Sequence, residues 1–450
     1  MSTERLARFV SELTYEQIPP EAIKGAKQAI LDCVGVTIAG CDDAGSQIIT
    51  QFIKGEEGKQ EAGIVGAGFK CPASQAAWAN GTLAHALDYD DYSATFGGHP
   101  SVALLPAVLA VGDQLHLSGK DVLVGYIAGF ELGSALAPYC VMQSYLLGWH
   151  STSTIGTIGA VGCTANMLKL NLGQCKIALG IGGSLANGLK ENFGSMTKPL
   201  HAGNAARNGV VAAGLSQRGF TANESILEAP QGFIKVITGG AQIDTTAMGQ
   251  NIGDTYAVID GLSFKPYPSC AGTHTTIDGT LALIEEYGMK IVDVEEVELR
   301  TPEGVETATI HDRPQTGLEG KFSNQYVVAT ALIDGSVGLH SFTDEKVRRP
   351  EVQAFLPKVK YSHPPEFGFG FRSETVMKMK DGRQLSKVIN FPKGFAQNPL
   401  SEEDMQSKYK DCASLMLPKD QVERSLDMIL NLESVDNVST LMDILTFRGK

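Results

Sequence analysis

His85-Ala86-Leu87-Asp88-Tyr89-Asp90-Asp91-Tyr92-Ser93-Ala94-Thr95-Phe96-Gly97-Gly98-His99-Pro100-Ser101 is the stretch from which the rest of the chain is read. It leaves an apolar run of small residues at 72–85 with helical character, and ends at Pro100, where a second apolar helical pattern over 102–111 begins. A loop held between two buried helices therefore carries three carboxylates, two tyrosines and a histidine. Such fixed loops are where binding and catalytic groups concentrate. Taken singly, Asp88 and Asp91 read equally well as helix caps and His99 as the filler of a polar gap. As a set they read as a site.

Outward from this loop the pattern stays helical. Leu6, Phe9, Val10 and Leu13 give a helix over 4–18, and Pro19-Pro20-Glu21 opens a second through Ile23, Ile30 and Ile38, closed by Gly40. Proline in the first turn with glycine past the end is the expected asymmetry. Residues 43–84 hold two more helices and 120–136 another, with Gly119 as the separator. From 139 to 219 the chain is poor in charge and rich in Ala, Gly, Ser and Leu, the composition of closely packed helices at a domain centre. Near 263 the texture changes. Residues 292–300 alternate as a strand, and 374–390 form a hairpin around Asp381-Gly382. At Asn398-Pro399-Leu400-Ser401 the helical pattern returns, with Ser401 and Asp404 spaced as a capping box. The expected fold is mostly α, a large all-helical domain (1–262 and 398–450) interrupted by a smaller α/β lid domain (263–397), with a site in the cleft between them.

Composition narrows the function. A 450-residue chain with 43% apolar and 19% charged residues describes a globular protein of more than one core. The net charge of −13 argues against nucleic-acid or anionic-membrane partners and requires a local basic cluster if the substrate is an anion. Eight cysteines are scattered without zinc spacing and read as reduced thiols. The N-terminal segment has no signal-like pattern, and no apolar run reads as a bilayer span, so the expected location is cytoplasmic.

Nine histidines occur, four in short Gly/Pro/Ser segments at element boundaries: Gly98-His99-Pro100-Ser101, Gly148-Trp149-His150-Ser151-Thr152, Lys198-Pro199-Leu200-His201, and Lys265-Pro266-Tyr267-Pro268-Ser269-Cys270 before His274. Brought together, these would form a pocket of Lys, His, Ser and Tyr groups able to hold a di- or tricarboxylate and move a proton. Alone, Lys198 reads as a solvated helix-start charge, His150 as a core histidine and Ser151-Thr152 as a helix cap. His85 is intermediate, on an apolar helix near the acids. Gly180-Ile181-Gly182-Gly183 fits no dinucleotide fingerprint, and no His/Cys/carboxylate spacing specifies a metal, so neither cofactor nor metal is expected.

Several of these segments, in the same order, resemble the MmgE/PrpD family: HALDYDD with GHPS, GWH at 148–150, TKPLHAGNAARNG at 197–209, FKPYPSC with THTTID at 264–278, SNQYVVATALIDG at 323–335, and NPLS at 398–401. The family includes 2-methylcitrate dehydratase, cis-aconitate decarboxylase and iminodisuccinate epimerase. The resemblance implies a helical domain with an α/β lid, usually a homodimer, working without metal or organic cofactor. It also implies a decarboxylase-type site at Asp88, His99, His150, Lys198, Lys265 and Tyr326. Tyr92, His201, Ser269 and His274, in the same loop segments, are the substrate-binding candidates. Tyr92 departs from the pattern, since those enzymes tend to have threonine after the paired acids. The expected activity is a lyase acting on a small polycarboxylate through a carbanion-like intermediate, with epimerisation of a dicarboxylate as the alternative.

Overall fold

A computed structural model describes residues 2–368 and 370–447. Residues 1 and 448–450, the outer ends of the helical segments read from the sequence, lie outside the described residues, as does 369. The chain divides into two compact units, Met1–Ser263 with Ser401–Lys450, and Phe264–Leu400. The divisions fall slightly later than the sequence pattern placed them, and hydrogen bonds explain why. Ser263 exchanges two 2.8 Å backbone bonds with Tyr92, whereas Phe264 N–H donates to Gly394 O (2.7 Å) and Gly394 N–H to Asn398 O (2.8 Å).

The first unit opens with α1 (Ser2–Glu12), α2 (Pro20–Ala39), α3 (Ala44–Glu56), a ribbon of β1 (Ala62–Gly63) and β2 (Lys70–Cys71), α4 (Ala73–His85), α5 (Pro100–Leu115) and α6 (Gly119–Leu136). It continues through α7 (Val141–Leu146), α8 (Ser151–Met167), α9 (Leu172–Leu185), α10 (Thr197–Gln217) and α11 (Phe233–Ile237). The ribbon corrects the all-helical expectation. The first helix stops at Glu12 instead of running to 18, because Thr14 is extended and its N–H takes the Gln17 side-chain oxygen at 2.8 Å. Gly119 begins α6 instead of separating it from α5. Ser118 is the N-cap, its hydroxyl accepting from Asp121 N–H and its own N–H donating to the Asp121 carboxylate, both at 3.3 Å.

Every residue of α8 is buried, although the helix is mostly Ser, Thr, Gly and Ala. Small side chains let neighbouring helices approach closely, and this is the centre of the unit. The segment Gly119–Tyr139 is long and apolar enough to cross a bilayer, contrary to the sequence reading, but 83% of that window is buried inside the protein. Its apolarity is accounted for by packing.

The second unit contains α12 (His274–Tyr287), β3 (Val294–Arg300), α13 (Gly317–Gly320), α14 (Asn324–Asp334), α15 (Asp344–Val347), α16 (Pro350–Phe355), β4 (Val359–Ser362), β5 (Ser373–Met379) and β6 (Gln384–Ile389). The sheet order is β4-β3-β5-β6, parallel between β3 and β4 and antiparallel elsewhere. Ile277, Leu283, Val297, Leu299, Val328 and Met377 contribute to its core. The β5–β6 hairpin turns through Lys380-Asp381-Gly382, closed by Met379 N–H to Arg383 O at 2.8 Å, with Gly382 at φ +89°. The Asp-Gly pair thus supplies a three-residue turn whose last position needs the left-handed conformation.

The chain then returns to the first unit with α17 (Glu402–Ala413), α18 (Lys419–Leu430) and α19 (Ser439–Leu445). Ser401 and Asp404 form the reciprocal cap of α17 at 3.0 and 3.2 Å. Aspartate is therefore long enough to replace the usual Glu or Gln.

Candidate active site

Two glycines set the site's position. Where α4 crosses α10, a methyl group on Gly81 would stand 2.6 Å from Gly203 Cα, and one on Gly203 would stand 2.1 Å from Trp78 O. Only glycine permits that approach. The crossing directs the C-terminal end of α4, with His85, to the N-terminal turns of α10, with Lys198 and His201.

The loop from Ala86 to His99 folds onto this crossing and is itself largely buried. Ser93 N–H donates to Gly98 O (2.8 Å), and Phe96, fully buried, packs on Phe130 with ring centroids 5.8 Å apart. The loop is fastened to the start of α8: His99 N–H donates to Thr152 Oγ1 (3.1 Å), and the Ser151 hydroxyl donates to Gly97 O. Ser151 and Thr152 therefore tie the loop down, where the sequence read them as a cap. His150 is the N-cap residue, without a side-chain cap bond. Asp91 does serve a helix, because its carboxylate accepts the Ser101 N–H of α5 (3.2 Å) and the Ser101 hydroxyl, which also meets Tyr126 Oη at 2.7 Å.

The reactive groups then fall into three linked sets, two pairs and a triplet. Lys198 Nζ lies 2.6 Å from Asp88 Oδ1, and both side chains are buried. Asp90, fully buried, receives His85 Nδ1 at 2.9 Å on one oxygen and His99 Nδ1 at 3.0 Å on the other. His150 Nδ1 meets His201 Nδ1 at 3.1 Å. Ring centroids connect the sets: His85 to His99 4.8 Å, His85 to His150 6.2 Å, His150 to His201 5.3 Å. Tyr92 closes one side, its ring 5.9 Å from His99.

Burial and charge fix the protonation states. Burial would raise the Asp90 carboxyl, but the His85 and His99 imidazoles outweigh it and hold it well below the usual range. Burial, with Lys198 nearby, lowers His85 to about 4 despite Asp90. At neutral pH His85 is therefore uncharged and donates its Nδ1–H to an ionised Asp90. Since the partners of His99 Nδ1 among the described residues, Asp90 and Asp91 O (2.7 Å), are acceptors, it must also carry hydrogen there. His85 Nε2 is then a bare acceptor, buried and without a hydrogen-bond partner among the described residues. His150 is pushed well below the ordinary imidazole value by burial and by His85 and Lys198, and His201 is lowered by burial and Lys198. In that pair of neutral rings, one Nδ1 donates and the other accepts.

Of the residues expected from the sequence, Asp88, Tyr92, His99, His150, Lys198 and His201 all come together in the first unit. Lys198 is not the solvated charge it resembles in isolation. His85 and Asp90 belong to the same cluster and were not singled out. Their signal was the five-residue spacing between a helix-terminal histidine and an acid in the adjoining loop. Lys265, Ser269, His274 and Tyr326 lie in the second unit. There Ser269 Oγ pairs with Thr273 Oγ1 (2.8 Å), His274 Nε2 meets Ser269 O (3.2 Å), and the Tyr326 hydroxyl donates to Ser341 O inside the unit's core.

His85, Asp88, Asp90 and His99 each offer one potential ligand atom within 4.8 Å of the others. The donor set nevertheless fits a metal poorly. Lys198 already neutralises Asp88, and Asp90 already accepts both imidazole N–H groups, so a cation would displace these bonds beside a fixed ammonium. A separate cavity of about 610 Å³ opens between α2, α17 and α18, lined by Ile23, Lys27, Leu31, Met405, Leu430 and others. It contains no histidine and is not the site described here.

Residues 4–246 match the MmgE/PrpD N-terminal domain, and residues 267–434 match the MmgE/PrpD C-terminal domain. The chain belongs to the MmgE/PrpD family. This MmgE/PrpD protein is 30% identical to the cis-aconitate decarboxylase of Mus musculus over 98% of its own length and 93% of the relative's. It is 29% identical to the Homo sapiens cis-aconitate decarboxylase, over 98% and 94%. A probable 2-methylcitrate dehydratase of Saccharomyces cerevisiae is 24% identical over 86% and 80%.

Proposed function

We propose that this MmgE/PrpD protein is a lyase acting on a small tricarboxylate, with decarboxylation of a cis-aconitate-like acid as the leading reading. The observation that carries it is the buried Lys198–Asp88 pair (2.6 Å) set among four imidazoles, in a protein of net charge −13. A buried ammonium and four imidazoles gathered in one place inside an acidic molecule support a site that receives an anion.

In such a reaction the bond from carbon to one carboxylate breaks and carbon dioxide leaves. The electron pair stays on carbon, delocalised toward a neighbouring carboxylate, and a proton is then delivered to carbon. Lys198 stabilises the negative charge as it moves, held in place by Asp88. Preorganised charge of this kind is often the largest single contribution to catalysis. His150, in contact with His201, suits delivery of the proton: as its Nε2–H goes to carbon, the Nδ1–H of His201 passes to His150 Nδ1, and His201 regains a proton from solvent. The His85–Asp90–His99 triplet fixes two imidazoles in one tautomer and orientation. Family resemblance counts Lys265 among the site residues, its proposed role is to clamp a carboxylate, and Tyr92 shapes the edge of the site.

The greater likeness to the decarboxylases, 30% against 24%, favours decarboxylation over dehydration of a methylcitrate-like acid. The test is to incubate purified protein with cis-aconitate and with 2-methylcitrate in deuterated water and follow carbon dioxide and NMR spectra. Carbon dioxide release from cis-aconitate, lost in Lys198→Ala and in Lys265→Ala, is the expected result. Turnover of neither acid by folded protein removes this reading, and solvent deuterium entering a dicarboxylate without net product would replace it with epimerisation.

A further inference from the structure

The loop that presents Asp88 and Asp90 is strained. Asp88 has φ +52°, a left-handed conformation that costs a residue with a Cβ about 1 kcal/mol or more. Something must hold the chain in that turn. Local bonds contribute, with Asp88 N–H reaching His85 O at 3.2 Å. The next carbonyl along, that of Tyr89, is held from far away in the sequence. Lys408 Nζ, on α17, donates to Tyr89 O at 2.8 Å and to Asp32 Oδ1 of α2 at 2.6 Å, and lies 3.9 Å from the Tyr89 ring centroid. Lys408 and Asp32 are both buried.

We infer that Lys408 is a positioning residue for the reaction centre, its ammonium clamping the Tyr89 carbonyl so that the flanking Asp88 and Asp90 face Lys198 and the two imidazoles. This rests on reading the Lys198–Asp88 cluster as the site of chemistry. Of the three donors of this ammonium, one is given to a loop carbonyl on the segment that carries Asp88 and Asp90. Replacing both partners of a buried pair by neutral groups is often close to neutral for folding. Here Asp32 neutralises the charge, a cation–π contact with Tyr89 fixes its height, and the third bond goes to the residue between the two working carboxylates. The C-terminal return of the chain thereby sets the geometry of a loop more than three hundred residues earlier.

The test compares the full-length wild type with Asp32→Asn/Lys408→Met, which removes the clamp without leaving a lone buried charge, and with Lys408→Arg, which restores a cationic donor. Two quantities are read: the imidazole NMR signals of His85 and His99, which need no substrate, and kcat and KM on the acid the wild type converts. In the double variant both histidine signals should shift and kcat should fall about 10- to 100-fold, with KM changing less than about threefold, as misplacement of working groups produces. Lys408→Arg should recover most of the loss. Unchanged histidine signals and a kcat within twofold of wild type in a folded double variant would overturn the inference. Should that variant not fold, Asp32→Ser/Lys408→Gln keeps the space polar and is read by the same outcomes. If the wild type converts neither tricarboxylate, the functional reading fails separately, and the imidazole signals alone decide the role of Lys408.

Discussion

The two units use the same Lys–carboxylate contact for opposite ends. In the first, Lys198 and Asp88 stand 2.6 Å apart with side chains 8% and 6% exposed. In the second, Lys360 and Glu296 stand 2.6 Å apart with side chains 62% and 27% exposed, and Lys378 joins Glu296 from β5 at 2.7 Å. Equal distance conceals unequal physics. Surface pairs are weakened by water and salt and contribute little. A buried pair feels a stronger field, and losing one partner leaves a charge with no solvent to stabilise it. The pair in unit one therefore holds its charge out of water, while the pair in unit two leaves it in water on the surface of the sheet.

Breaking the buried pair should have the largest effect. Lys198→Ala should reduce turnover about 10³-fold or more and lower stability by about 3 kcal/mol, since the buried Asp88 carboxylate would lose its ammonium partner. Steady-state kinetics and urea titration read both. Next comes the triplet beside it. Asp90→Asn should cut kcat about 10- to 100-fold with the fold retained, because the amide replaces one of the two acceptor oxygens by an NH2 donor, so one imidazole N–H meets another donor and its tautomer is released.

The comparison extends to pH. His85 falls from an unfolded value of 6.5 to about 4 when buried, so the unfolded chain binds its proton first. Its contribution is complete above pH 6.5 and is lost as pH drops toward 4, on the order of 3 kcal/mol in all. Glu131 acts in the reverse sense. Burial raises it from 4.5 to about 7 despite the Ala257 and Val258 N–H groups it accepts, so it adds stability as pH falls through the same window. Melting curves of Glu131→Gln should consequently decline more steeply with acid than those of the wild type; equal slopes would refute the opposition. Lys360→Ala, on the surface, should change stability by about 0.5 kcal/mol or less, and less still in high salt.

The helical periods, the Asp-Gly hairpin and the Ser401 capping box were legible because each depends on neighbours a few residues away. The sequence patterns also picked out Asp88, His99, His150, Lys198 and His201 by local texture. What they could not supply was pairing. Lys198 in TKPLH looks like any solvated lysine at a helix start, and it becomes a buried cation only because Gly81 and Gly203 let α4 and α10 close on one another. Ser151 and Thr152 look like caps, and they act instead as fasteners because the loop at Gly97–Gly98 lies against them. His85, intermediate in the sequence on an apolar helix near the acids, belongs to the site because Asp90 joins it to His99.

The chain's order of small, apolar and turn-forming residues by itself determined a mostly helical protein with an inserted mixed unit, and an acidic loop with histidine between two buried helices. Only the tertiary structure decided which charges lose water and which partner they meet. Lys408 and Asp32 are 376 positions apart, yet they pair, and Lys408 holds the Tyr89 carbonyl beside the turn at Asp88. Secondary structure follows from contacts within a few residues, whereas protonation and reactivity follow from burial, and burial is a property of the whole packed unit.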